Sequence, residues 1–276
     1  MKRLIALFWL IVAAPALAGP QMTVLLPTET AMSPQSMDDA FRGYASARAA
    51  FPDTPIALVA NLLYTSDVAL VVLDATQGPL PNNREHTLAA RQAGVPNVAV
   101  LITNVDALYD LVGEQDGDEF LALEEQEIRT VLELYGVGGA DTRVYHDSSH
   151  AQRATSSMSG DLEQLASDLS ALPADQRQNE RMQTASAAKG EIYLLTDGEA
   201  NGQAVTIEGT RSLTLWVGGQ TTTAEVSVNG VGQPGDAISF GYRTEVPTPA
   251  AASARMMLID NDQIVGIGVI ATVTAR

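Results

Sequence analysis

The sequence predicts an α/β domain with a parallel sheet, followed by a small antiparallel β-barrel. Two observations carry this. Through residue 172, short apolar runs alternate with helical patterns, the signature of parallel strands joined by helical crossovers. After residue 190, short segments of alternating polarity are separated by Gly, Asn, Pro and Asp turns with no helix between them.

Residues 22–26 read as a short buried strand, and residues 27–36 as a Pro/Thr/Ser-rich turn. A helical pattern covers 37–50. Asp53, Thr54 and Pro55 then mark a helix start, with a capping residue and a first-turn proline leading into 56–64. Residues 68–73 are six consecutive apolar residues, as expected of a strand covered on both faces. A helix over 81–93 closes on Gly94, and 98–102 is the next buried strand. An acidic helix spans 118–135, with apolar residues at Phe120, Leu123, Ile128, Val131, Leu132 and Tyr135, while the acidic run 114–127 reads as the solvated face of a helix. Residues 142–146 form a strand and 160–172 a last helix. In such a domain a ligand sits at the carboxyl ends of the strands. Residues 173–189 are polar and small and read as a linker that a protease reaches first, leaving two folded units that survive separation. Seven strands follow, at 191–195, 204–208, 212–217, 224–228, 237–242, 254–259 and 264–274.

The first residues bear on location. Lys2 and Arg3 precede an apolar run from Leu4 to Ala14, ending in Pro15 and the small-residue site Ala16-Leu17-Ala18. These are the parts of a secretory signal peptide, and the run is shorter than the roughly 20 residues a membrane span needs. The expectation is cleavage after Ala18 and a periplasmic or secreted protein. Removing Lys2 and Arg3 leaves 14 basic residues against 33 acidic ones, a formal charge of −19. That charge repels phosphate backbones and anionic headgroups, which excludes nucleic acid and membrane surfaces as partners and leaves an unidentified protein of the envelope. The absence of Cys excludes disulfides, thiol nucleophiles and thiolate metal sites. Apart from Lys2, Lys189 is the only lysine, so it alone could serve a phosphate or a Schiff base.

One stretch is more specific. The run from Asp67 to His86 (DVALVVLDATQGPLPNNREH) resembles the fourth strand and following loop of elongation factor Tu, with Gly78, Pro79, Pro81, Arg84, Glu85 and His86 at the matching positions. Gln92, Gly94 and Pro96 continue the match. Residues 191–195 resemble the opening strand of that family's third domain, Gln233 to Asp236 its Met-Pro-Gly-Asp turn, and residues 265–270 its closing strand. The resemblance implies a P-loop-NTPase-like sheet domain over 19–172 and a third-domain-like barrel over 190–276. The family's second domain has no room between them.

The departures bear on activity. The family's phosphate loop needs glycines that let the backbone curl round the phosphates and a lysine that reaches them. Here residues 27–34 read PTETAMSP, with Glu29 added. The Asp-x-x-Gly-His segment that supplies the family's catalytic His falls near Asp53, where neither Gly nor His is present. The guanine-reading Asn-Lys-x-Asp motif falls on Thr103, Asn104, Val105 and Asp106, and the later base loop on Asp147, Ser148, Ser149 and His150. Thr103, Asn104, Asp106 and Ser148 are therefore vestigial positions. Asp106 reads as a helix cap, His86 as structural, and His146 with His150 as an exposed loop in preference to a metal pair.

No catalytic residue, metal site or cofactor is assigned. The expectation is an exported pseudo-GTPase acting as an interaction module. The alternatives are a GTP- and Mg²⁺-binding protein with a translation-related role, and an enzyme of unrelated chemistry in the old cleft.

Overall fold

The computed structural model describes residues 20–27, 47–147, 159–172, 182–200 and 202–274. The expected signal peptide, most of the turn after the first strand, Ser148, His150 and residues 173–181 lie outside them. The α/β unit comprises β1 (Met22–Leu25), β2 (Ala47–Ala50), α1 (Ile56–Tyr64), β3 (Val68–Asp74), α2 (Pro81–Ala93), β4 (Asn97–Thr103), α3 (Val105–Val112), α4 (Glu114–Leu134), β5 (Val144–His146), β6 (Ser159–Asp161) and α5 (Leu162–Ser170). Its six strands are parallel, in the order β2-β1-β3-β4-β5-β6. The order reverses between β1 and β3, which places the crevice of this architecture at their carboxyl ends.

β3 shows why an uninterrupted apolar run suits this position. Ala69, Val71 and Leu73 join the core on one face of the sheet, while Val68, Leu70 and Val72 join the core on the other. The strand's period of two requires both faces to be covered by helices. Residues 47–50, expected as the end of a helix, instead pair with β1 as a parallel strand. α3 was not legible, because Gly113 (φ 86°) separates it from α4 and leaves only eight residues of pattern. The two helices pack closely there: a Cβ on Gly117 would lie 2.7 Å from the Tyr109 ring.

The second unit is a closed antiparallel barrel of β7 (Gln183–Leu194), β8 (Ile207–Val217), β9 (Gln220–Gly232), β10 (Ala237–Ala250), β11 (Arg255–Asp260) and β12 (Gln263–Val273), ordered β10-β7-β12-β11-β8-β9. Two of the seven expected strands, 204–208 and 212–217, contribute to the single strand β8. A bulge at Gly209 (φ 66°) shifts its register between Glu208 and Thr210 and breaks the alternation that separates strands in sequence. Residues 183–189, which read as linker, are the first half of β7, and Lys189 pairs with Gly241.

The units share one core. Leu195, Trp216, Met257, Ile259 and Ile264 of the barrel lie in the same buried cluster as Val59, Leu63, Leu88 and Ala89 of the helices. Trp216 is buried; its indole Nε1 donates to Asn61 Oδ1 at 2.8 Å, and its ring meets Tyr64 edge-on, with centroids 5.8 Å apart. The backbone N–H of Ile56, left open at the start of α1, donates to Asp262 Oδ1 of the barrel at 3.0 Å. That bond stands in for the local side-chain cap expected within 53–55, which the helix start lacks. From α2, Glu85 Oε1 accepts the N–H of Ile264 at 2.8 Å and Gln92 Nε2 donates to the Met256 carbonyl at 3.2 Å. The Arg255 guanidinium donates to the Arg91 carbonyl.

Trp216→Ala should therefore cost about 3–5 kcal/mol in urea unfolding, since it empties the seam and strands the Asn61 amide. Leu58→Ala, at a side chain 49% exposed, should stay within about 0.5 kcal/mol. Equal losses would mean that the seam carries no special weight.

Candidate functional site

The carboxyl ends of β3, β4 and β5 come together around Asn104. β3 ends in Asp74, whose carboxylate is buried yet fully supplied with donors. Oδ1 accepts the Thr76 N–H at 2.9 Å and the Thr76 hydroxyl at 2.6 Å; Oδ2 accepts Asn104 Nδ2 at 2.9 Å and Gln77 Nε2 at 3.2 Å. Burial opposes the charge, but these hydrogen bonds hold the pKa below the ordinary carboxylate value.

Asn104 caps α3 in the left-handed region, with φ 59°. Its side chain donates to Asp74, and its backbone N–H donates to Asp147 Oδ2 at 2.9 Å. Asp147 Oδ1 also accepts the Val105 N–H at 3.4 Å. A carboxylate from the end of β5 thus satisfies the open donors at the start of α3, a favourable place for negative charge.

Of the four vestigial positions, the structure joins two directly to this network or the strands beneath it. Asn104 is its hub, and Thr103 lies buried at the end of β4 with its hydroxyl donating to the Leu73 carbonyl at 2.9 Å. Asp106 is exposed in the first turn of α3; the expected cap is supplied by Asp147 instead. Ser148 lies outside the described residues.

His146 is not on an exposed loop. It ends β5, is 1% exposed, and places Nε2 3.0 Å from Glu125 Oε1. Glu125 Oε2 accepts Arg129 Nη1 at 2.7 Å, and Arg129 Nε donates to the Thr142 carbonyl at 3.1 Å. The acidic run on α4 is therefore not all solvated face. Glu125 is buried because His146 and Arg129 partner it, while the apolar Phe120 and Leu123 are 50% and 60% exposed. His86 is buried on α2, where desolvation pushes its pKa down to about 4.

Sequence reasoning missed two features. On α4, burial first, then the negative charges of Asp74 and Glu127, push the Glu124 pKa up to about 8. Second, a cleft of about 900 Å³ opens between α4 and the barrel, lined by Leu123, Leu134, Tyr135, Tyr193 and Glu199, with Arg84 at its edge. Tyr193 OH donates to Glu199 Oε2 at 2.9 Å across its barrel wall. Only the excess of apolar residues on the acidic helix hinted at it. Among the described residues, no group of three or more His, Cys, Asp or Glu side chains is placed to hold a metal ion.

Glu125→Ala should destabilise the fold by about 3–5 kcal/mol in chemical denaturation, because it leaves His146 and Arg129 buried without their carboxylate. Arg84→Ala breaks an ion pair with Glu127 whose side chains are 46% and 49% exposed, and should cost less than about 1 kcal/mol. A mild effect at Glu125 would show that the buried triad contributes little.

The family model of the elongation factor Tu GTP-binding domain matches residues 56–214. The match starts at α1, runs through the later strands and helices of the sheet unit and through β7, and ends within β8, short of Trp216. β1, β2 and the residues between them precede it. With more than half of the sequence matched and a parallel sheet leading into a closed barrel, the chain belongs to the elongation factor Tu GTP-binding domain family.

Proposed function

We propose that this member of the family is an exported pseudo-GTPase, a folded interaction module of the periplasm that neither binds nor hydrolyses GTP. The observation that carries the reading is the place of Asn104. It occupies the lysine position of the guanine-reading motif, and its side-chain amide and backbone N–H are spent on Asp74 and Asp147. Donors that a nucleotide would need are engaged within the protein. The sequence supports the same reading: residues 27–34 contain no Gly and no Lys, Pro27 and Pro34 lack an N–H, and Lys189 is held in the barrel. A charge of −17 for the whole chain further opposes a triphosphate. The basic, apolar and small-residue order of residues 2–18 supports export.

Calorimetry of the purified protein with GDP and Mg²⁺ should give no tight binding. A Kd below about 10 μM, roughly −7 kcal/mol, would overturn the reading in favour of a nucleotide-binding protein with a translation-related role. Export has its own test. Intact-mass measurement on an osmotic-shock fraction should show a chain beginning at Gly19, and full-length protein confined to the cytosol would refute it.

A further inference from the structure

α4 carries two apolar faces, and the fold buries one of them. Leu121, Ile128 and Leu132 enter the shared core. Phe120, Leu123 and Leu134 fall on a second stripe of the helix and stay 50%, 60% and 73% exposed. From Leu123 to Leu134 that stripe walls the cleft, with Tyr193 and Glu199 on the barrel side. Glu199 is held ready for a cation. Its Oε2 accepts the Thr196 N–H at 2.9 Å, the Thr196 hydroxyl at 2.7 Å and the Tyr193 hydroxyl at 2.9 Å, while Oε1 accepts no hydrogen bond among the described residues. Burial opposes the charge, but these bonds hold the carboxyl below its ordinary range. Arg84, the cation in the lining, is already 3.4 Å from Glu127, and exposed Glu119 and Glu133 lie beside the stripe on α4. The cleft therefore joins an apolar wall to an oriented carboxylate oxygen within an acidic rim.

We propose that the cleft between α4 and the barrel is the docking groove for a basic amphipathic helix of a partner protein, whose apolar face covers Leu123, Leu134 and Tyr193 and whose arginine or lysine reaches Glu199. The proposal rests on the interaction-module reading and names the chemistry of the partner. A straight apolar stripe on one helix is complemented by a second helix with apolar residues at i, i+3, i+4 and i+7. From Leu123 to Leu134 it covers about three turns, roughly 17 Å, which sets the length of the occupant. Charge sets its sign. A second copy would bring the same acidic rim and the same chain charge of −17, so the complement is a positively charged segment of another protein.

The probe is a synthetic amphipathic helical peptide of about four turns, with leucine on one face and arginine on its flanks, titrated into the purified protein at physiological salt. Its twin carries glutamate in place of arginine. The arginine peptide should bind with a micromolar Kd and raise hydrogen-exchange protection over 123–135 and 193–199, and the glutamate twin should not bind. Leu134→Ser, at a side chain 73% exposed and so without consequence for folding, should weaken binding at least tenfold, as should Glu199→Gln. Glu225→Gln, which removes an equal charge from exposed β9 outside the cleft, should change it less than twofold. Equal losses at Glu225 and Glu199, or full affinity in Leu134→Ser, would reduce binding to general charge attraction and overturn the groove. Self-association of the protein that Leu134→Ser abolishes would give the groove to a second copy and overturn it as well. GDP calorimetry on the same sample separates this proposal from the reading beneath it: a protein that binds neither GDP nor the arginine peptide overturns the groove alone.

Discussion

The burial of Trp216 against α1 is the contact on which the rest of this architecture depends. Neither unit closes its own core on that side. Val59 and Leu63 of α1 need the barrel wall, and Trp216, Met257 and Ile264 need the helices. At about 25 cal/mol per Å² of apolar surface removed from water, a large indole is worth several of the hydrogen bonds around it. Those bonds fix orientation instead. Asp262 and Glu85 each accept a backbone N–H from across the seam, so the helix start and the β12 strand can meet at one register only.

This changes what the family motif means here. Of the Arg84-Glu85-His86 run, Glu85 serves the barrel, His86 the helix core and Arg84 the edge of the interdomain cleft. The motif that identifies the family in sequence is thus tied to assembly, while the positions aligned with the guanine-reading motif are tied to the strand ends. The seam and the strand ends use different residues, so one set can change without disturbing the other.

The sequence made the two-layer architecture legible because β3 and β4 are long apolar runs and because Gly and Pro punctuate the barrel turns. Where it misled, the cause lay in contacts distant along the chain. Residues 47–50 look helical in isolation and become a strand only because β1 is there to pair. Glu125 looks solvent-facing until His146 arrives from 21 positions later in the chain to meet it. The cap of α1 could not be read from the residues just before it because the acceptor comes from Asp262. At the candidate site, Asn104 and Thr103 were legible through the motif. Asp74 was not, since a carboxylate at a strand end carries no local mark of the donors it collects from Thr76, Gln77 and Asn104.

A shared core also relaxes the demand on the chain that joins the units. The barrel is held by burial and by cross-seam hydrogen bonds, so the stretch between α5 and β7 has only to keep the barrel nearby. The entropy of closing a flexible loop grows slowly, by about 0.6 kcal/mol for each doubling of length, small beside the loss of a buried aromatic. Insertions there, even whole modules, are consequently tolerable in a way that single substitutions at Trp216 are not. The docked geometry of sheet and barrel is encoded in their surfaces and not in what is strung between them.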